Sequence, residues 1–381
     1  MANTLTNLIP TLYKALDIVL RELTGFISAS TFDASGEGVA KNQTIAWPIV
    51  PAGAAADITP AAYGPTVSDT ALGNDTMTIS KSKGVPFYWT GEDQLGLGGL
   101  YDKILMDQFA QAMRTLVNEV DADLAALYKY ASRAYGTAGV LPFASDLTDI
   151  AQVRKILADN GASMSDLQLV INTSAGAKMR SLTPLSFANQ AGSDALLRQG
   201  VLSDLMGFAI RESAQVKLHT PTGATGTLVD LTAGYAVGST TVHVDTVTGT
   251  WVAGDILTNV KTGRDTNKYV VATGLAAAEG DLVIAKPGLQ VAAVNNDPLT
   301  CGAAYTANLA FSRSAIHLLL RTPAMPEGGD AADDVTVITD PQTGISFQVA
   351  MYRQYRRVTF EVGLAWGVKV VKPEAIAILL G

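Results

Sequence analysis

A chain of 381 residues is long enough for two or three domains and a sizeable core. Its net charge of -8 argues against a protein whose main task is to grip nucleic acid, since such proteins are normally basic. Only 16% of the residues are charged, so much of the surface is expected to be covered by partner subunits or filled with small and hydroxylated residues. The single cysteine, Cys301, excludes an intrachain disulfide framework and reads as a buried small residue rather than a reactive thiol. No apolar run is long enough for a membrane helix, and the start of the chain lacks a signal-peptide pattern. The expectation is a protein made and used in a cytoplasm.

Residues 3–24 predict an amphipathic helix with Leu5, Leu8, Ile9, Leu12, Leu16, Val19, Leu20 and Leu23 on one stripe. Pro10 is expected to break or kink it and Gly25 to stop it. An apolar terminal arm needs something to lie against, and a neighbouring subunit is one such surface. From Ser28 to Gly73 small, hydroxylated and proline residues dominate. Two strand-like runs stand out, Thr44–Val50 and Asp75–Lys83, the second with Met77 and Ile79 alternating against polar neighbours. They predict a long two-stranded arm with a loose tip; the alternative is a plain surface loop.

Gly99–Arg133 contains no proline and no glycine after its first residue. Tyr101, Leu105, Phe109, Met113, Leu116, Val120, Leu124 and Leu127 recur in steps of three and four, with Asp102, Asp107, Arg114, Glu119, Asp121 and Lys129 on the other faces. Such a helix runs about 50 Å and needs a second layer along most of its length, so it is a spine rather than a catalytic element. Residues 149–160 predict a short helix, Leu167–Asn172 a buried strand, Ser174–Ser181 another helix and Phe208–Ser213 a strand. The polar stretch 182–204 is anchored only by Leu196, Leu197 and Leu202. Between Thr220 and Gly302 the helical pattern gives way to short strands such as Thr241–Asp245, Asp255–Thr258, Lys268–Val271 and Asp281–Ile284. Evenly spaced strands with turns between them predict a small all-β barrel or sandwich, inserted because the earlier pattern resumes at Ala303. Asn308–Arg321 reads as a strand running into an apolar stretch, and Glu327–Asp334 as an acidic loop. Strands at Ile345–Met351, Arg357–Leu364, Trp366–Val371 and Ala375–Leu380 offer a sheet for the spine.

Little in the sequence points to catalysis. His219, His243 and His317 show no metal-ligand spacing, and His243 alternates within a strand as a surface or barrel residue. No nucleophile elbow and no phosphate loop occur, and Gly96–Gly99 is a helix entry turn. Asp121 and Asp123 do not share a helix face, and Asp330, Asp333 and Asp334 lack calcium-loop spacing. No catalytic, cofactor-binding or metal residue is therefore assigned, and the chain is read as a non-enzyme. Arg353, Arg356 and Arg357 form the one basic cluster, suited to nucleic acid or to acidic groups of a neighbouring subunit.

The last third carries Leu309-Ala310-Phe311-Ser312-Arg313-Ser314-Ala315-Ile316, Arg321-Thr322-Pro323, Gly344-Ile345-Ser346-Phe347, Tyr352-Arg353-Gln354-Tyr355, Gly367-Val368-Lys369-Val370-Val371 and Pro373-Glu374. In these residues, and in the order of its elements over nearly the whole chain, it resembles the major capsid (coat) proteins of tailed bacteriophages, in the P-twenty-two-type branch. The resemblance implies an α+β chain with the Hong Kong 97 capsid fold: an N-terminal arm (1–25), an extended loop (26–96), a peripheral domain with the spine helix (97–148 and 335–375), an axial domain (149–219 and 303–334) and an inserted β-barrel domain (220–302). It implies a structural protein, without cofactor, that assembles with itself as pentamers and hexamers into an icosahedral head in the host bacterial cytoplasm. The implied partners are a separate scaffolding protein, a portal protein and packaged double-stranded DNA held by weak non-specific contacts, with no membrane. Lys41, Lys81, Lys83, Arg353, Arg356 and Arg357 are the candidate subunit-interface residues. Some members cross-link a lysine of the extended loop to a C-terminal asparagine; this chain has no asparagine after Asn308, so that chemistry is not expected. A cargo-enclosing nanocompartment of the same fold, and an enzyme with a β accessory domain, are the rival readings.

Overall fold

The computed structural model describes residues 8–19, 25–49, 73–144, 146–182, 204–261, 263–340 and 344–381. The ends of the first expected helix, the tip of the two-stranded arm and the anchors Leu196, Leu197 and Leu202 lie outside the described residues. The chain is α+β, and its longest helix is the spine, Tyr101–Ala125. At 25 residues it spans roughly 37 Å before tightening into a 3-10 turn at Ala126–Tyr130. It is shorter than the periodicity suggested because the pattern of apolar residues continues through that turn. A separate helix, Gly91–Leu97, precedes it, started by a reciprocal capping box between Thr90 and Asp93.

The spine buries Leu105, Phe109, Met113, Leu116, Val120 and Leu124, as the spacing required. Phe109 sits edge-on to Phe87 at 5.0 Å and to Phe360 at 5.4 Å, which seats the helix on a sheet. The arm helix Ile9–Val19 adds Leu12 and Leu16 to the same core. Pro10 does not kink it: it occupies the first turn, where its missing N–H is not needed. Gly25 opens the next described helix, Gly25–Ala29. A Cβ there would lie 2.6 Å from the Glu212 carbonyl oxygen, so only glycine allows this approach.

Six strands form the sheet under the spine: Thr31–Val39, Ile316–Pro323, Arg357–Val370, Ser346–Gln354 and Asp334–Thr339 in that order, with Lys81–Thr90 also paired to Arg357–Val370. The runs expected at 357–364 and 366–371 are thus one strand of 14 residues. Gly367 lies where the chain at Thr78 passes so close that a Cβ would stand 2.2 Å from its carbonyl oxygen. Two of the six strands, Thr31–Val39 and Lys81–Thr90, fall inside the stretch 26–96 expected as the extended β-hairpin loop. Outside this sheet, that stretch contributes the hairpin Thr44–Ile49 with Gly73–Thr78, a two-stranded sheet of its own among the described residues. The run Asn308–Arg321, expected as a strand leading into an apolar stretch, holds two strands, Tyr305–Ser312 and Ile316–Pro323, which belong to different sheets.

The second sheet holds twelve strands. Its first part runs Phe208–Glu212, Leu167–Ile171, Tyr305–Ser312, Ile376–Leu380 and Arg133–Tyr135. The terminal strand Ile376–Leu380 therefore belongs here and not beneath the spine, a consequence of the 3-10 turn at Pro373–Ala375 that redirects the chain. The helices Thr148–Asp159 and Thr173–Arg180 cover this part around Phe143, Ile150, Leu157 and Phe208. The remainder is the β block. Its strand Lys268–Thr273 joins the first part through Lys268 opposite Ala134 and Tyr269 opposite Arg133. Trp251, Tyr269, Leu257, Val244 and Leu282 fill the block's own core. Its pairings lead from Leu228–Val229 through Thr241–Asp245, Gly280–Ile284, Lys268–Thr273 and Ile256–Asn259 to Leu299–Cys301. The Leu299 amide then donates to the Thr227 carbonyl at 2.9 Å, and that of Val229 to Asp297 at 3.1 Å.

Candidate assembly surface

Most polar groups singled out in the sequence are engaged within the chain. Asp121 was expected on a polar face, yet it is 1% exposed. Its Oδ1 accepts the Phe26 and Ile27 amides at 3.0 and 3.3 Å, and its Oδ2 accepts the Ser213 hydroxyl. Burial raises its pKa against the lowering effect of these bonds. Asp123 faces elsewhere, accepting Lys81 Nζ at 2.8 Å and Trp366 Nε1 at 2.8 Å. His219 is enclosed between Tyr128 Oη, 2.9 Å from its Nδ1, and Asp255 Oδ1, 2.7 Å from its Nε2. Burial holds the His317 ring below its usual pKa. Cys301 is half-buried, and burial with Asp255 beside it pushes the thiol up to about 12. The acidic loop folds back on the sheet, with Asp330 accepting Tyr352 Oη at 2.7 Å and Asp333 accepting the Arg353 amide at 2.6 Å. His243 is held on a surface strand by Asp281, 2.7 Å from its Nδ1; this bond, then Glu279, raises its pKa despite some desolvation.

The six candidate interface residues divide. Lys81 bridges Glu119 at 3.1 Å and Asp123, and Lys83 also pairs with Glu119. These two lysines tie their strand to the spine. Lys41 is exposed in the turn between Thr31–Val39 and Thr44–Ile49, beside Asn42 at φ 70°. The three arginines gather at the turn between Ser346–Gln354 and Arg357–Val370, with Arg356 itself at φ 56°. The Arg356 guanidinium stands 5.8 Å from the Tyr355 ring, and that of Arg357 stands 5.4 Å from Tyr88. Among the described residues neither Arg356 nor Arg357 pairs with a carboxylate.

Composition and spacing did not single out the apolar part of this surface. Tyr355 is 89% exposed, Leu95 85% and Tyr88 58%. All three lie at the same end of the sheet, where Thr90 pairs with Arg357 and leads into Gly91–Leu97. Only the pairing shows that these sequence-distant residues are neighbours. The hairpin forms the second exposed feature. Its base is fixed by Met77 and Ile79 against Val39, Leu319 and Ala365, and by Lys369, which donates to Asp75 and to the Thr76 carbonyl. Beyond the base, the exposed residues of Gly73–Thr78 outnumber its one buried residue.

No family model matches the chain, and no curated protein matches it either. Among solved structures it is similar to a chain from Mycobacterium phage Che8, with 16% identity, a TM-score of 0.44, and coverage of 90% of this chain and 85% of that one. It is also similar to a chain of the capsid of the cyanophage P-SCSP1u, with 11% identity, TM-score 0.47, and coverage of 92% and 86%. A chain of the capsid of a native GTA particle gives 9% identity, TM-score 0.46, and coverage of 94% and 90%.

Proposed function

We propose that this protein is the major shell subunit of a tailed-phage head, assembling with copies of itself around double-stranded DNA. The observation that carries the reading is the hairpin Thr44–Ile49/Gly73–Thr78, which is anchored to its own sheet at the base but, among the described residues, has no third strand hydrogen-bonded along it. A two-stranded ribbon is marginal in water, so beyond its anchored base it calls for a second surface to lie on. A neighbouring copy supplies that surface in a shell. The sequence resemblance supports the same reading, as does the seating of one long helix on a six-stranded sheet.

On this reading the sheet under the spine is the peripheral domain, and Phe208–Glu212 with its neighbours the axial domain. The block 220–302 is the inserted barrel, supported by the run of pairings that returns from Leu299–Cys301 to Thr227. Lys41, Arg353, Arg356 and Arg357, with Tyr355, meet neighbouring subunits. Each contact is weak, and repetition over many copies gives the shell its stability. A scaffolding protein and a portal are the assembly partners, and the low basic content suits DNA that is enclosed rather than gripped.

The test is a pair of variants in the purified protein. Arg356→Glu with Tyr355→Ser, and separately replacement of the hairpin by a short turn, are expected to abolish particles while far-UV circular dichroism stays unchanged. Normal particles from both variants would remove these surfaces from the assembly account.

A further inference from the structure

We infer that Asp230, His243 and Glu279 on the outer face of the β block form a binding site for a borderline divalent cation of the zinc class. One ligand atom from each residue lies within 4.8 Å of the other two. The fold builds this arrangement from three adjacent segments. His243 is paired opposite Asp281 in the neighbouring strand, and Glu279 stands just before that strand begins at Gly280. On the other side the Asp230 amide donates to the His243 carbonyl at 3.0 Å, which fixes the register of the third ligand.

The imidazole is oriented as a ligand requires. Asp281 Oδ1 lies 2.7 Å from Nδ1, while Nε2 faces Glu279 Oε1 at 3.5 Å. When Nδ1–H donates to Asp281, the lone pair on Nε2 is left on the side that Glu279 occupies. A carboxylate on the far nitrogen is the usual partner of a metal-bound histidine and fixes its tautomer. Asp281 is thus a positioning residue and not a ligand.

The charge around the site gives a separate reason. Asp245, two residues along the same strand and hence on the same face, has a buried Oδ1 with no hydrogen-bond partner. Among the described residues no lysine or arginine pairs with Asp230, Asp245, Glu279 or Asp281. Four carboxylates therefore share one face with a single imidazole. A nitrogen ligand with two carboxylates favours zinc or manganese over calcium or magnesium, which prefer oxygen alone. Three protein ligands leave a fourth position to water. A bound ion would lace three neighbouring segments of the β block together. The inference stands independently of the shell reading.

The experiment uses the untagged full chain after chelator treatment, titrated with Zn²⁺ by calorimetry and with Co²⁺ by visible absorption. The expected result is one site per chain. His243→Ala is expected to weaken it at least tenfold, and Asp281→Asn, which keeps all three ligands, about tenfold. Glu279→Gln provides a second ligand variant should His243→Ala not fold. Zn²⁺ should also raise the thermal unfolding temperature of the wild-type chain and not that of His243→Ala. Absence of binding by the wild type would overturn the inference and leave an imidazolium held by carboxylates. Unchanged stoichiometry and affinity in both ligand variants would overturn it equally, because the ion would then sit elsewhere.

Discussion

The Phe26 amide donates to Asp121 Oδ1 at 3.0 Å, joining positions 95 apart in the sequence. The same carboxylate takes the Ile27 amide and the Ser213 hydroxyl, so one spine residue fixes the helix Gly25–Ala29 and the end of the strand Phe208–Glu212. Removing it strands buried donors. Asp121→Ala is expected to cost about 2–4 kcal/mol, measured by chemical denaturation. Asp121→Asn keeps an acceptor for the amides and a donor for Ser213, and should stay within about 1 kcal/mol of wild type at neutral pH.

The pH dependence of that pair of variants has a definite sign. Burial raises the Asp121 pKa above its ordinary value of 3.8. The folded chain therefore holds this proton more tightly than the unfolded chain, and this contribution to stability falls as pH rises from about 4 through the folded-state pKa. Asp121→Asn removes this component, so its stability should fall less than wild type over that range. Parallel curves would show that Asp121 is not the group responsible.

Glu119 provides a component of the opposite sign. Despite desolvation, hydrogen bonds from Lys83 and Lys81 hold its carboxylate below the usual 4.5. Its contribution is present above that value and lost as pH falls through the folded-state pKa. Glu119→Gln should flatten the acid limb of the stability curve. Lys81→Met should weaken the docking of the strand Lys81–Thr90 on the spine, seen as faster amide exchange in that strand.

The joint between the spine and the β block is the chain of bonds Tyr128–His219–Asp255. Asp255 is 0% exposed and also accepts the Val252 amide at 2.8 Å. His219→Leu leaves a buried carboxylate and a buried phenol without their shared partner. The expected cost is about 3 kcal/mol, with exchange protection lost first around Gly254 and Asp255. A variant as stable as wild type would show that this joint is dispensable.

Cys301 should be inert. With its thiol pushed up to about 12, almost no thiolate exists at neutral pH. Labelling of the native chain by a thiol reagent should be at least tenfold slower than in denaturant; equal rates would contradict the buried setting.

The sequence made the spine and most strands legible because their periodicities are local. Leu105 through Leu124 announce one helical face, and Thr241–Asp245 announces its alternation. It could not show that Asn308–Arg321 divides between two sheets, because both halves are apolar and only the corner at Arg313–Ala315 separates them. Asp121 misled for a related reason: its partners lie far away in sequence. The exposed cluster of Tyr88, Leu95 and Tyr355 depends on the pairing of Thr90 with Arg357, which no local pattern encodes. That Lys81 and Lys83 pair with acidic residues of the spine was not legible either, because Glu119 and Asp123 lie far away in sequence.

Light scattering with negative-stain microscopy on the purified chain, with and without the scaffolding protein proposed above, tests the central claim most directly. Closed shells or defined rings of uniform size are predicted, with hairpin-replaced protein remaining dispersed. A clean monomer under both conditions would contradict assembly as the function of this protein.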